Sequence, residues 1–375
     1  TAVMANSLTP IIDKLIARGL TVLRENAVMP RLVNSTYSAV ARDRGDTITV
    51  PIAAEITAAT VSPSNSLAAA GDTALTSKTI SLDQWKHAGF FLTDQQITQI
   101  DVDTMNTLQG DEAVRSLANN VDAYILGLYT GIYSQTGTAA TTPFASNLND
   151  WTAGARTKLN NFKAPMDDRA VVLDADAEGN AIGNRGLQDA SWRGTTEGIV
   201  FGDIGYALGA SWHLDQNVKT HTNSGGTPAS WLVNQADSAV GDTTVTIDGG
   251  SIAPVAGDIF TVAGSTQQFV VSSYASNVIT FAPALLVALA DNSALTFAAS
   301  HVVNLAFQRN AFGFAMAPLM DARLNSDLMR QVTDEKTGLT MRLEVSRQEK
   351  QWKFDYDVLY GATLLRPETA CRILG

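Results

Sequence analysis

"DEAVRSLANNVDAYILGLYTGIY", which runs from Asp111 to Tyr133, is the strongest helical pattern in the chain. Its apolar residues recur every three or four positions, at Val114, Leu117, Ala118, Val121, Tyr124, Ile125 and Leu128. This spacing places all of them on one face of an α-helix. Glu112 lies near the start, where the helix dipole favours negative charge. We predict a long central helix of about 35 to 45 Å, at about 1.5 Å per residue.

Two strand patterns precede this helix. "GDTITVPI", from Gly45 to Ile52, alternates polar and apolar residues, and "TISLDQWKHAGFFLT", from Thr79 to Thr93, predicts a second strand. The 26 residues between them, Ala53 to Lys78, are small and polar with weak periodicity. A connection of this length is more often functional than incidental. We predict a long two-stranded arm with a flexible tip.

Helix-start signals lie on both sides of the arm. Thr9 and Pro10 open an amphipathic N-terminal pattern that we expect to stop at Pro30. "TDQQ", beginning at Thr93, matches a capping box and predicts a short helix before the central one.

The residues from Asp150 to Asn223 predict an α/β segment. "DDRAVVLDADAEGNAI" predicts a buried strand followed by a helix, and "GDIGYALGASWHLDQNVKTHTNSG" predicts a second passage, from helix to strand. Further on, "HVVNLAFQRNAFGFAMAPL" predicts a strand that leads toward a short helix. Alternating apolar residues over 339–345 and 352–358 predict a hairpin near the C-terminus, with its turn near Gln348.

The segment from Trp231 to Phe297 differs from its surroundings. It contains short strand patterns separated by Gly and Asn turns, and no Lys, Arg or Glu. A domain of this size has a modest core, so attachment at both ends to a larger domain would help to hold it. We therefore predict an α+β protein with a small inserted β domain.

Charge and composition exclude several classes of protein. The net charge of -11 argues against a surface that grips nucleic-acid phosphates. Cys371 is the only cysteine, so no internal disulfide can form. The longest apolar run, Ile279 to Ala290, contains Pro283 and is too short to span a bilayer, which predicts a soluble protein without a membrane partner.

No motif predicts catalysis. His87, His213, His221 and His301 form no H-E-x-x-H pattern, and a C-x-x-C pair is absent, so a zinc site is not predicted. "DADAEGN" begins like a calcium loop, but Arg185 stands where the closing Glu would be. The sequence contains no nucleophile elbow, Walker loop or dinucleotide fingerprint. Asp355 and Asp357 share a strand face as glycosidase carboxylates do, but solvated strand positions explain them more simply. We expect no enzyme activity, no catalytic residues, no cofactor and no metal.

Several segments, taken in order, resemble the coat proteins of tailed double-stranded-DNA bacteriophages. They are "DTITVPI" before the arm, "LANNV" in the central helix, "GYALGASWHLDQNVKTHT", "NLAFQRNAFGFAMAPL" and "LYGATLLRPETA". The resemblance covers nearly the whole chain and implies the Hong Kong 97-type capsid fold. It is closest to coat proteins of the P-twenty-two type, which carry an inserted β domain, although this chain and its insertion are shorter than in the best-known member.

The resemblance implies a division of the chain into an N-terminal arm (1–44), an extended loop (45–93), a spine helix with a peripheral domain (94–149), an apical α/β domain (150–230), an inserted β domain (231–297), and a return to the apical and peripheral domains (298–375). It also implies a role for the inserted domain in steadying the subunit and setting the size of the shell.

The function implied is that of a major capsid protein, which forms hexamers and pentamers of an icosahedral shell in the virion. The implied partners are other copies of the chain, a scaffolding protein, a portal protein and enclosed double-stranded DNA, bound without sequence specificity. Two alternatives remain open: an encapsulin-like compartment shell, which usually lacks the insertion, and a soluble α/β enzyme.

Subunit contacts are expected in two regions. The arm would lie over a neighbouring subunit, and the N-terminal helix would hold the rim. The residues expected to make these contacts are Ala53, Ser62, Ser64, Ser66, Lys78, Leu8 and Ile12.

Overall fold

A computed structural model describes residues 15–19, 21–23, 27–39, 47–53, 76–99, 102–189, 200–202, 204–223, 231–234, 238–250, 252–319, 329–333 and 339–375. Its strands are β1 (Thr47–Ile52), β2 (Thr76–Ser81), β3 (Gln84–Thr93), β4 (Gln135–Gly137), β5 (Arg169–Leu173), β6 (Tyr206–Ala207), β7 (Ala210–Leu214), β8 (Thr220–His221), β9 (Leu232–Val233), β10 (Thr244–Asp248), β11 (Ile259–Val262), β12 (Gln268–Ala275), β13 (Val278–Ala282), β14 (Leu295–Phe297), β15 (His301–Gln308), β16 (Phe312–Ala317), β17 (Met329–Thr333), β18 (Thr340–Gln348), β19 (Gln351–Leu364) and β20 (Ala370–Leu374). The helices are α1 (Met29–Leu32), α2 (Asp94–Gln99), α3 (Val102–Gly127), α4 (Arg156–Asn161), α5 (Ala175–Gly183) and α6 (Arg185–Gln188).

The central helix is confirmed as α3, a helix of 26 residues, or about 39 Å. Five residues of the predicted face, Val114, Leu117, Ala118, Val121 and Ile125, are buried. They pack against the sheet formed by β16, β19, β18, β17 and β3, and Tyr360 of β19 donates a hydrogen bond to Asn120 Oδ1 at 2.6 Å. The prediction was wrong at both ends. The helix already begins at Val102, so Glu112 lies in its interior and not at its start, and it stops at Gly127 and tightens into a 3₁₀ turn at Leu128–Gly131.

The predicted arm begins as an antiparallel pair, in which Ile48 of β1 faces Ile80 of β2. The prediction of a single strand from Thr79 to Thr93 was wrong. The strand ends at Ser81 and a new strand begins at Gln84, so that β2 pairs with β1 whereas β3 pairs with β19. Leu82 at the break is buried in the apolar cluster at the base of the arm, which accounts for the change of direction. The predicted tip lies outside the described residues.

Two predicted helix starts have different outcomes. The capping box is confirmed, because Thr93 Oγ1 accepts from the Gln96 backbone N–H at 3.2 Å and Gln96 Oε1 accepts from the Thr93 N–H at 3.0 Å. Residues 15–19 and 21–23 are helical, in agreement with the N-terminal pattern. Pro30 does not end a helix as predicted; it lies in the first turn of α1, where its missing N–H costs nothing.

The α/β segment is confirmed at its start. Strand β5 is buried along its whole length between β15 and the parallel strand β7, and Asp174 caps α5 by accepting from the Asp176 N–H. The second passage was predicted to run from helix to strand, but β6 and β7 form a hairpin. Its turn residues, Leu208 and Gly209, both have positive φ, as tight hairpin turns require.

The C-terminal hairpin is confirmed, with Gln348 of β18 opposite Gln351 of β19. The short helix predicted in "AFGFAMA" is wrong. That stretch forms β16, whose six residues are all buried, after a single 3₁₀ turn. A continuous apolar run is typical of a strand covered on both faces, and its periodicity alone does not separate it from a buried helix.

The inserted β domain consists of six antiparallel strands in the order β14-β11-β12-β13-β10-β9. A bridge between Leu232 and Ala294 connects the two ends of this sheet and nearly closes it into a barrel. Three rings, Phe260, Phe269 and Phe281, fill its centre at centroid distances of 5.1 to 5.8 Å. The predicted α+β class with a small inserted β-barrel is therefore confirmed.

A substitution at Gly361 tests how tightly the base of the arm is packed on the main body. A Cβ at Gly361 would lie 2.0 Å from the backbone oxygen of Ser81, so Gly361→Ala must push the end of β2 away. We expect a loss of about 2 kcal/mol in the free energy of unfolding, measured by urea denaturation. The matched control is Gly179→Ala on α5, where a Cβ meets nothing within 4 Å. Equal stability of the two variants would contradict this account of the arm base.

Candidate functional site

The described part of the chain contains no group of three His, Cys, Asp or Glu side chains that could hold a metal ion. The prediction that both carboxylates of β19 are solvated was wrong for Asp357, which is buried and pairs with Arg342. Asp355 contacts His87 and Lys353. None of the described helices is long and apolar enough to cross a bilayer. The features that stand out are therefore surfaces and joints between elements.

The first feature is the base of the arm. Ile48, Val50 and Ile80 point inward and pack on Leu359 of β19 and on Leu82. The alternate residues of β1 and most of β2 are exposed. The described part of the arm therefore has one face packed on the main body and one exposed face.

The predicted contact residues fall only partly within the described chain. Lys78 is exposed on β2 opposite Val50, and Ala53 is exposed just after β1, so the structure places both on the arm. Leu8, Ile12, Ser62, Ser64 and Ser66 lie outside the described residues. The contacts themselves remain predictions.

The second feature is the point where the barrel meets the rest of the subunit, formed by Tyr129, His221, Gly257, Asp258 and Arg372. We call it the barrel joint. Gly257 and Asp258 end a barrel turn just before β11, and the other three side chains come from the main body. Gly257 has φ +97°, and a Cβ there would lie 3.1 Å from Thr130 Cγ2 and 3.3 Å from His221 Cε1. The turn is thus seated closely on the body.

A hydrogen-bonded chain crosses the barrel joint. Asp258 Oδ1 lies 2.8 Å from His221 Nε2, and His221 Nδ1 lies 3.0 Å from the Tyr129 hydroxyl. The other carboxylate oxygen, Oδ2, accepts from the Val255 backbone N–H at 2.8 Å, which fixes the turn. Asp258 and His221 are 1% and 4% exposed, so the hydrogen bond between these two side chains is shielded from water.

Arg372 brings a buried positive charge to the same joint. Its side chain is fully buried on β20, its Nη1 donates to the backbone oxygen of Gly257 at 2.8 Å, and its guanidinium lies 4.9 Å from the centre of the Tyr129 ring. Burial lowers the pKa of Arg372 to about 9, and the negative charge of Asp258 opposes this lowering. Arg372 therefore stays charged at neutral pH, and Tyr129 and Asp258 both favour its charged form.

His301 lies beside this chain and behaves differently. Its ring is 5.3 Å from the ring of His221, and burial lowers the pKa of His301 to about 4. It is consequently neutral at pH 7, and its Nδ1 donates to the backbone oxygen of Ala299 at 2.7 Å. His301 packs against the joint without adding a second positive charge.

A third feature, the N-terminal clamp, is a buried carboxylate on the central helix α3. Asp122 accepts from the backbone N–H groups of Val28 and Met29, each at 3.0 Å, and holds this segment against α3. Burial, with a further contribution from the charge of Asp215, raises the pKa of Asp122 to about 7, whereas Arg31 acts in the opposite direction. The clamp therefore titrates near neutral pH.

No pattern in the sequence indicated the barrel joint or the N-terminal clamp. Arg372 stood within "ACRIL", an arginine in an apolar strand, and that was the available signal. His221, Asp258 and Asp122 carried none, because their partners lie 37 to 94 positions away along the chain.

Solved structures resemble the chain along most of its length. A structure from Mycobacterium phage Che8 aligns with a TM-score of 0.50 and 16% identity, covering 92% of this chain and 90% of that one. The capsid structure of the cyanophage P-SCSP1u aligns with a TM-score of 0.49 and 13% identity (93% and 88%), and the mature capsid of bacteriophage PhiM1 with 0.48 and 9% (93% and 86%). No protein-family profile and no curated protein matches the chain. The likeness to the Che8 phage structure shows that this is the Hong Kong 97-type fold.

Removing the Asp258 carboxylate should leave His221 Nε2 and the Val255 N–H without their hydrogen-bond partner, and should also remove a negative charge that favours the charged form of Arg372. We expect Asp258→Ala to lower the free energy of unfolding by about 3 kcal/mol, measured by urea denaturation. Asp291→Ala, at an exposed barrel position, serves as the control and should change it by less than about 0.5 kcal/mol. The double variant Asp258→Ala/Arg372→Met should recover part of the loss. A double variant less stable than Asp258→Ala would count against charge compensation as the cause.

The N-terminal clamp predicts a pH-dependent effect. Because the pKa of Asp122 is raised in the folded state, its contribution to stability is complete at low pH and is lost as pH rises toward about 7. The Asn side chain of the Asp122→Asn variant is neutral at every pH. The free energy of unfolding of the variant minus that of the unaltered chain should therefore increase from pH 4.5 to 7 and then level off. Urea denaturation across this range measures the difference. A difference that is constant with pH would show that Asp122 does not titrate there.

Proposed function

We propose that this chain is the major capsid protein of a tailed double-stranded-DNA bacteriophage. In this role it forms hexamers and pentamers that close into an icosahedral shell, and it resides in the virion. The observation that carries the proposal is the fold shared with the Che8 phage structure over nine-tenths of both chains. The inserted barrel supports it further, because the resemblance to coat proteins with an inserted β domain implies such an element.

The exposed face of the arm provides a surface through which the chain can contact neighbouring copies. Heterologous contacts between identical subunits generate rings and closed shells when the rotation closes. Each contact would bury apolar arm surface at about 25 cal/mol per Å². Such contacts are repeated around every ring, so interactions that are weak individually sum to a stable shell.

We extend the proposal to the partners that the resemblance implies. A scaffolding protein would guide assembly and a portal protein would occupy one vertex. The enclosed double-stranded DNA would not be bound by sequence, because a chain of net charge -11 repels phosphate rather than gripping it. We further propose that the inserted barrel steadies the subunit while it assembles.

An encapsulin-like shell is the alternative on the same fold. The inserted barrel argues against it, since encapsulins usually lack such an insertion. An enzyme that co-purifies inside the particle would favour the compartment over the phage shell. An enzymatic role for the chain itself gains no support from the barrel joint, because Asp258 and His221 are buried there.

Particle formation tests the proposal. The purified chain, alone and together with its scaffolding protein, should yield closed particles by light scattering and negative-stain electron microscopy. Lys78→Glu reverses a charge at an exposed position of β2 in the arm and should raise the protein concentration needed for assembly at least tenfold. Lys86→Glu, an equal charge change on exposed β3, is the matched control. Monomers under every condition, with scaffold present, would overturn the proposal.

A further inference from the structure

A groove with a volume of about 460 Å³ lies between the barrel and the main body. One wall comes from the body, at Tyr133 and Phe162, and the other from the barrel, at Pro283 and Leu286. This volume falls within the usual range for small-molecule sites. The groove lies on the side of the barrel that faces the body, but the hydrogen-bonded chain of the barrel joint does not line it.

The walls of the groove are apolar and accessible. Phe162 packs edge-to-face on Tyr133 with ring centroids 5.8 Å apart, yet it remains 43% exposed. Leu286 is 74% exposed on the opposite wall. Two large apolar side chains thus face a common space from two different domains.

One amine lies in this apolar groove. Lys158 Nζ donates to Gln268 Oε1 at 2.6 Å and to the backbone oxygen of Gln135, both of which are neutral acceptors. Among the described residues, no carboxylate forms an ion pair with it. Burial lowers the pKa of Lys158, as expected for an ammonium group whose charge is not compensated nearby.

The backbone around the groove offers little to a peptide. The Ala284 carbonyl accepts from Gln267 Nε2 at 2.7 Å, and the Leu286 N–H donates to Gln267 Oε1 at 3.0 Å. Pro283 has no N–H to donate. An extended peptide needs free backbone partners along its length, so an occupant without a peptide backbone fits this groove better.

We propose that the groove binds a small amphiphilic carboxylate, such as a medium-chain fatty acid. Its carboxylate accepts a hydrogen bond from Lys158 Nζ, and its alkyl chain lies between Phe162 and Leu286. Such a ligand supplies the negative charge that the protein does not place beside Lys158. This binding is separate from shell formation, because it requires only the folded subunit.

Decanoate is the probe, titrated below its micelle concentration at pH 7.5 into the full-length chain and followed by isothermal titration calorimetry. We expect saturable binding with one site per chain. Lys158→Met keeps the apolar stem and removes the ammonium, and should weaken binding at least tenfold. Leu286→Ser, at an exposed position, should weaken it about fivefold through lost apolar contact. Lys86→Gln is the control for net charge and should leave binding unchanged.

Two further ligands separate the proposal from its competitors. Decanol has the same chain without the carboxylate; it should bind at least tenfold more weakly than decanoate and should lose nothing in Lys158→Met. The peptide acetyl-Leu-Asp-Leu-amide carries a carboxylate on a backbone and should bind more weakly than decanoate. Absence of saturable decanoate binding, equal affinity in Lys158→Met, or tighter binding of the peptide would each overturn the proposal.

Discussion

The structure depends on a charge that one part of the chain buries and another part compensates. Arg372 lies in β20 at the heart of the main body, fully removed from water, while Asp258 approaches it from the inserted barrel. A buried charge needs opposite charge and hydrogen bonds nearby, so loss of the Asp258 carboxylate should destabilise the folded chain. The barrel is therefore an electrostatic part of the body's core as well as an insertion in its sequence.

The barrel and the arm are attached to the main body in different ways. The spine helix and the sheet behind it form one apolar core, and the joint attaches the barrel to it through His221 and Gly257. The arm is attached differently, through a close backbone approach at Gly361 and one apolar face.

Local patterns predicted much of the fold. The spine helix, the capping box at Thr93 and the C-terminal hairpin depend on residues a few positions apart, so periodicity and spacing were sufficient to find them. The break after Ser81 and the strand at β16 were missed, since both depend on which sheet the segment joins. Continuous apolar runs do not specify that choice.

The sites were far less predictable than the fold. The barrel joint combines residues from the spine region, the apical segment, the barrel and the last strand, and the groove beside Lys158 exists only because two domains face each other. Neither site is indicated by a characteristic spacing of residues in the sequence. Differential scanning calorimetry of the unaltered subunit tests the coupling between barrel and body most directly. The account predicts one transition whose calorimetric and van 't Hoff enthalpies agree, and two separate transitions, with the barrel melting alone, would contradict it.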